Sequence, residues 1–234
     1  MNVLPENALS WLDSIQGGGF AVISSVLTPR DVDALGVEIA AADMRRGRAG
    51  VRHAMRLPSI SSLAKDERLL GIARSILGNQ AFPFNATLFD KSPTANWLVA
   101  WHQDTALPLK ERREIPEWGP WSVKEGVTYA HAPANALSKI LALRVHLDNS
   151  TAENGPLRVL PGTHTLGVLT DNAIHELSMR VTSVDCLVPK CGVLAIRPLI
   201  VHASSKSQSR SPRRVLHVEY AESPTLDSLE LATA

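Results

Sequence analysis

Cysteine is almost missing from this chain of 234 residues; Cys186 and Cys191 are the only two. Four residues separate them, so they form neither a C-x-x-C redox pair nor half of a zinc ribbon, and two reduced, semi-buried thiols are expected. No stretch approaches the ~18 uninterrupted apolar residues of a membrane span. No apolar run follows a basic start, so a secretory leader is not supported. Net charge is also lacking, with 24 Lys and Arg against 23 Asp and Glu. A chain of +1 has no overall field to draw in nucleic acid or an anionic membrane, so neither is expected as a partner. The one basic cluster, Met44-Arg45-Arg46-Gly47-Arg48, reads as a solvated helix end or loop. Internal repeats and low-complexity tracts are absent as well. Together these absences point to a reducing cytoplasm.

What is present is ordinary globular composition, 44% apolar and 20% charged, in a chain long enough for one substantial core. The early part reads helix, strand, helix. Residues 6–15 carry Leu9, Leu12 and Ile15 and stop at Gly17-Gly18-Gly19; Phe20 to Leu27 is a short β run. Thr28-Pro29 opens a helix, with Thr as cap, Pro at the first helical position and Asp31 near the positive end of the dipole. Its apolar stripe is Val32, Leu35 and Ile39. A further helix fits Asp66 to Leu77, ending at Gly78-Asn79.

After residue 80 short β-forming runs alternate with turns, at 82–89, 97–102, 139–148, 156–160, 179–188, 192–197 and 213–221. This predicts an antiparallel sandwich or barrel with the helices packed outside it. In Lys139–Asp148, Leu141, Leu143, Val145 and Leu147 share one face, and Arg144, His146 and Asp148 share the other. Residues 105–136 resist the scheme: they hold Pro108, Pro116, Pro120 and Pro133, two tryptophans and the charged patch Lys110–Glu114. So long an irregular connection is uncommon unless it is functional or disordered, and it reads here as a flap.

The flap starts immediately after Trp101-His102-Gln103-Asp104. On a strand, residues i and i+2 point the same way, so His-x-Asp presents an imidazole and a carboxylate together. One more His would complete three ligands on one face of a metal, the geometry of non-haem Fe(II) oxygenases. His-x-Asp alone is a weak signal, and His146-Leu147-Asp148 and His217-Val218-Glu219 share the spacing. Context favours His102 and Asp104, which sit where a strand gives way to a loop. His217 reads as a core or surface histidine, and Arg144 with His146 as a face that lines the cavity. Further on, the strand 192–196 bends at Arg197-Pro198-Leu199 and resumes to His202; a polar loop then leads to Arg213-Arg214. That brings His202 and an Arg onto neighbouring strands, where a guanidinium can grip a carboxylate through two parallel bonds.

The segments GFAVISSVLTPRDVDAL, NWLVAWHQD, LRVHLDNSTAENGPLRVLPGTH and RPLIVHASSKSQSRSPRRVLHVEYA, reaching from about residue 18 to about 221, resemble the phytanoyl-CoA dioxygenase family of Fe(II)/2-oxoglutarate-dependent oxygenases. The resemblance implies a mainly β fold with flanking helices, a double-stranded β-helix or jelly-roll like that of cupins. It implies one domain over 1–234, with helices to about residue 80, a core over about 80–221 and the flap over about 105–136. Fe(II) would be held by His102, Asp104 and His202. The cosubstrate 2-oxoglutarate would be held by Arg213, eleven residues past His202, with Ser204 and Gln103 beside it and Lys91 and Trp121 as further contacts. Arg214 would face away. With O2, such enzymes release succinate and CO2 and oxidise a C–H bond of a small molecule. Halogenating relatives lack the carboxylate that this chain keeps as Asp104, so hydroxylation or another C–H oxidation is implied rather than chlorination. Asn154-Gly155 and Pro161-Gly162-Thr163-His164 match turn signatures whose glycines serve φ > 0.

Trp97, Trp101, Trp118 and Trp121 could form an aromatic wall for substrate, although Trp97 reads better as core packing. The Lys110–Arg113 patch reads as solvated charge. Two rival functions remain open from sequence: a cupin-like metal enzyme that does not use 2-oxoglutarate, and a jelly-roll binding protein without catalysis.

Overall fold

The computed structural model describes residues 8–42, 50–92 and 95–233. The basic run at 44–48 lies outside them. The helices are α1 (Ala8–Gly17), α2 (Pro29–Ala41), α3 (Pro58–Ala64), α4 (Glu67–Leu77), α5 (Ala134–Leu137) and α6 (Asp171–Arg180). The cap predicted for α2 is formed in full: Thr28 Oγ1 accepts from Asp31 N at 3.2 Å, and the Asp31 carboxylate accepts from Thr28 N at 3.0 Å. Val32, Leu35 and Ile39 are buried as one stripe. Asp66 caps α4 through Arg68 N. No helix among the described residues is long and apolar enough to cross a membrane.

The strands are β1 (Phe20–Ile23), β2 (Phe82–Lys91), β3 (Val99–His102), β4 (Ala106–Leu109), β5 (Trp121–Lys124), β6 (Val127–His131), β7 (Ile140–His146), β8 (Leu157–Val159), β9 (Val184–Cys186), β10 (Val193–Ile196), β11 (His202–Ser204) and β12 (Arg213–Ala221). A hairpin of β13 (Thr225–Leu226) and β14 (Leu229–Glu230) follows. A five-stranded sheet, β1-β10-β7-β12-β2, faces a four-stranded one, β3-β11-β8-β9, and every pairing is antiparallel. The sheets are not closed on each other. This is the open jelly-roll with flanking helices that the sequence resemblance implied.

Alternation decides what each face of the large sheet meets. Leu141, Leu143, Val145 and Leu147 turn outward with Leu216 and Val218 and pack under α2, α3 and α4, where Ile39, Ile60 and Leu69 meet them. Tyr220 belongs to the same layer, and its hydroxyl donates to Ala64 O at 2.8 Å. Between the sheets, Ala142, Leu194 and Ile196 meet Leu157, Val159 and Ile200. Both cysteines are free and buried there or close by, and burial pushes the Cys186 thiol up to about 12.

Three expectations need correction. Residues 105–136 are largely regular: β4, β6 and β5 form a third antiparallel sheet, and Trp118 is packed beneath it. Its prolines sit at turns or in β4, so the composition concealed the strands. Residues 179–188 are not one strand, because α6 runs to Arg180 and only Val184–Cys186 pairs. The β run at Phe20 ends at Ile23 rather than Leu27. The helix at Pro58–Ala64 was not anticipated at all.

Candidate active site

β3 ends on His102 and β11 begins on His202, and their antiparallel register sets these two residues directly opposite each other. Asp104 lies just past the end of β3. Its backbone N–H donates to Pro198 O at 3.0 Å, which fastens the strand end to the bend that leads into β11. The imidazole centroids are 4.3 Å apart. Each Nδ1 lies beside a carbonyl two residues earlier, Ala100 O at 2.8 Å and Ile200 O at 2.9 Å. A carbonyl only accepts, so each Nδ1 carries the hydrogen and each Nε2 is left with its lone pair. Both Nε2 atoms point at the same carboxylate, at 3.4 Å from Asp104 Oδ1 and 3.4 Å from Oδ2. One ligand atom from each residue lies within 4.8 Å of the others. Two neutral nitrogen donors and one anionic oxygen on one side of a point fit a divalent transition ion that keeps open positions. His202 is 3% exposed while His102 is 38% exposed, so the open side is the His102 side.

The electrostatics suit a cation at this point. Burial lowers His202 to about 4, so the ring is neutral at physiological pH.

A cavity of about 200 Å³ opens beside the three ligands. Its floor is the inner face of the large sheet, where Lys91 stands opposite Arg213 and Phe89 opposite Val215; farther along the same pair of strands Thr87 stands opposite His217 and Asn85 opposite Glu219. Arg144 on β7 stands opposite His217 on the other side. Three cations are thus buried together, Lys91 at 1%, Arg213 at 3% and Arg144 at 6% exposure. Among the residues lining this cavity, Asp104 is the one carboxylate. Lys91 Nζ donates to Ser204 Oγ at 2.7 Å and to Ser205 O at 2.6 Å. Arg144 lies over the Phe89 ring and donates to His217 Nδ1 at 3.0 Å. Arg213 Nε is buried with no partner. Burial, then Arg213 and Arg144, brings Lys91 down to about 7; burial and Arg144 bring Arg213 down to about 10. Buried like charges with an orphaned donor are the chemistry of an anion site.

The residues named from the sequence are distributed unequally. His102, Asp104, His202, Arg213, Ser204 and Lys91 all line this cavity. Arg214 turns the other way and grips Asp148 with two bonds of 2.8 Å. That removes the carboxylate of the His146-Leu147-Asp148 pair, and His146 itself is buried against Ser150 rather than in the cavity. Gln103 does not reach this cavity. Its amide donates to Gly167 O and Leu199 O and accepts from Leu169 N, so it ties loops together. Trp121 does not reach it either; it sits in the flap sheet with Arg112 over its ring. Trp97 does line it, at 5.6 Å from Lys91 Nζ, so its reading as core packing was wrong. No aromatic wall forms, since Trp101 faces α6 and Arg158 while Trp118 is under the flap. The Lys110–Arg113 charges are matched locally, Lys110 with Glu230 and Arg112 with Glu114.

Past Asp104 and Phe89, which they share, a second lobe of about 240 Å³ opens. Asn85, Thr87, His217 and Glu219 form its floor; Arg52, Lys124, Tyr129 and His131 line it from outside the jelly-roll. This lobe was missed from the sequence. The i, i+2 spacing of His217 and Glu219 is visible in the sequence, but His217 reads there as a core or surface histidine because no loop marks a rim beside it. In place, His217 accepts from Arg144 at Nδ1, and its ring is neutral, lowered by burial and Arg144 to about 3.

Fold and site together define a class: an open antiparallel jelly-roll whose strand rim presents His-x-Asp and a distant His at one candidate metal position, above a cationic cavity. More particularly, the chain belongs to the phytanoyl-CoA dioxygenase (PhyH) family, whose model matches residues 15–215. It is 25% identical over 178 residues to L-proline trans-4-hydroxylase of Streptomyces griseoviridis, covering 65% of this chain and 59% of that one. It is 31% identical over 108 residues to an ectoine dioxygenase of Halomonas elongata, covering 46% of this chain and 26% of that one. The chain therefore matches less than two thirds of the length of either relative. Among solved structures, EctD from S. alaskensis with 2-oxoglutarate and 5-hydroxyectoine superposes with a TM-score of 0.69 at 20% identity, over 94% of this chain and 78% of that one. HygX from Streptomyces hygroscopicus with nickel and 2-oxoglutarate gives 0.68 at 17%, over 99% and 96%. At such identities these two establish the fold.

Proposed function

We propose that this protein is an Fe(II)- and 2-oxoglutarate-dependent oxygenase that hydroxylates a C–H bond of a small molecule, releasing succinate and CO2. The observation that carries this reading is the juxtaposition of two features on one cavity: three metal-type ligands on the small-sheet side, and three buried cations on the large-sheet side. A binding protein has no need of both, and an enzyme that does not use a dianionic cosubstrate has no need of the cations.

In this reading His102, Asp104 and His202 hold the iron, which supplies the centre where 2-oxoglutarate and O2 react to oxidise the substrate. The protein's own work is orientation. Carbonyls of Ala100 and Ile200 lock both imidazoles with Nε2 inward. Arg213, Lys91 and Ser204 receive the far carboxylate; a charge-assisted pair out of water fixes the length as well as the sign of what it accepts. Arg144, held by His217 and the Phe89 face, adds positive charge between the two ends. Val99, Leu157 and Trp97 close the sides against water. Substrate enters the second lobe, which shares Asp104 and Phe89 with the first.

Succinate release with Fe(II), 2-oxoglutarate and a panel of small metabolites tests this. His102→Ala should abolish turnover with and without substrate. Full succinate release by that variant, or none by the iron-loaded parent under any condition, refutes the reading.

A further inference from the structure

The second lobe has a polarity of its own. On its floor Asn85 Nδ2 donates to Glu219 Oε2 at 2.6 Å. Asn85 is 5% exposed, and its Oδ1 is buried without a partner. The Glu219 carboxylate is only partly buried, and it lines the lobe. Burial and the Asp104 charge push it up to about 7, against the pull of Asn85. The floor therefore offers an acceptor to a ligand, the Glu219 carboxylate, which Asn85 holds in place. The opposite wall is cationic. Lys124, at the end of β5, holds its ammonium 4.6 Å from the Tyr129 ring centroid. Arg52 stands near it, 3.6 Å from Glu125, and 41% exposed. Burial and Arg52 lower Lys124, against the weaker pull of Asp104 and of Glu219 across the lobe.

Acceptors on one side and cations on the other, across about 240 Å³, select a small molecule with charges of both signs. We infer that the substrate is a compact zwitterion, its ammonium group seated on Glu219 and its anionic group under Lys124 and Arg52. This rests on the oxygenase reading of the neighbouring cavity. An ammonium supplies the donor that Glu219 lacks and leaves the carboxylate ionised, since a partly buried carboxylate is tolerated when it is paired and hydrogen-bonded. A carboxylate on the substrate does the same for Lys124. The lining is mostly polar, and Phe89, Ala106 and Tyr129 are too little apolar surface for a long acyl chain.

The test is calorimetry on anaerobic protein loaded with Fe(II) and 2-oxoglutarate. Small amino and imino acids, L-proline and ectoine included, are each titrated beside the amine lacking the carboxylate and the acid lacking the amine. At least one zwitterion should bind tenfold or more tighter than both of its single-charge analogues. Glu219→Gln should erase its advantage over the acid, and Lys124→Met, on a surface hairpin, its advantage over the amine. The inference is overturned if no zwitterion binds, if neutral or single-charge compounds bind as tightly, or if both variants keep the parent's preference. Titration of 2-oxoglutarate alone into iron-loaded protein tests the oxygenase reading separately; a failure there sinks that reading, whereas a failure confined to the zwitterion panel sinks only this one.

Discussion

Two adjacent arginines carry the clearest residue-scale contrast in this protein. Successive side chains on a strand point to opposite faces. Arg213, paired with Lys91, goes into the cavity, and Arg214 goes out to Asp148. Arg213→Ala should raise the KM for 2-oxoglutarate at least about 30-fold, since truncating one partner of a buried charge pair costs about 2 kcal/mol or more. Arg214→Ala breaks a partly exposed pair, so it should cost up to about 1 kcal/mol of stability and move that KM by less than about threefold, since an increment under about 0.6 kcal/mol is less than threefold. Steady-state kinetics of the two variants checks both; a reversal would mean the strand is out of register by one residue. Lys91 adds a pH dependence. Lowered to about 7 without an anion, it is largely neutral at pH 8 and regains its proton when a dianion arrives. Binding of 2-oxoglutarate at pH 8 should therefore take up protons and weaken towards pH 9. Calorimetry in buffers of different ionisation enthalpy measures the uptake, and Lys91→Met should abolish it. The triad and Arg213 were legible because motif spacing and strand alternation are local. The roles of Trp97, Gln103 and Trp121 were not, because they depend on where a loop folds back, which no nearby residue encodes.

At the scale of elements, the most readable parts were those whose own residues close their hydrogen bonds. The Thr28-Asp31 box fixes the start of α2 without help from the rest of the chain, so Thr28→Ala should cost about 1 kcal/mol in urea unfolding with no effect on the site. β7 was readable because its outward Leu and Val and its inward Arg144 alternate strictly. α6 was hidden, since one buried residue, Ile174, is all it contributes to a core. The flap sheet was hidden for a different reason: its order comes from partners far along the chain. Trp118 Nε1 reaches Asp227, Leu109 bridges Leu231, and Lys110 pairs with Glu230. Ending the chain at Glu222 should thus loosen β4, β5 and β6 selectively. Amide exchange over 106–131 should speed up at least tenfold, while β7, in the middle of the large sheet, keeps its protection. Equal exchange in both would show that the flap is held by the jelly-roll alone.

For the molecule as a whole, the site is assembled at a cost to the fold. The large sheet brings Lys91, Arg144 and Arg213 together in a buried space with one opposing carboxylate, already shared by two imidazoles of the small-sheet side. Like charges out of water repel, so the protein without ligands holds strain that iron and 2-oxoglutarate relieve. Stability should accordingly track loading. At about 100 times its Kd a ligand adds about 2.7 kcal/mol, and for a chain of this size each kcal/mol moves Tm by about 2–4 °C. Iron with 2-oxoglutarate should raise Tm by about 5–10 °C over chelator-treated protein. Lys91→Met separates strain from mere ligand binding. It keeps most of the volume of the side chain and deletes one of the three charges, so without ligands it should melt about 2–4 °C above the parent, about 1 kcal/mol. With 2-oxoglutarate present the order should invert, because the variant gains less from the anion. Scanning calorimetry of the two proteins, each with and without ligands, checks this. A Lys91→Met protein less stable than the parent in both states would show that the lysine serves the fold through its bonds to Ser204 and Ser205, and that the cavity's charge is not what limits stability.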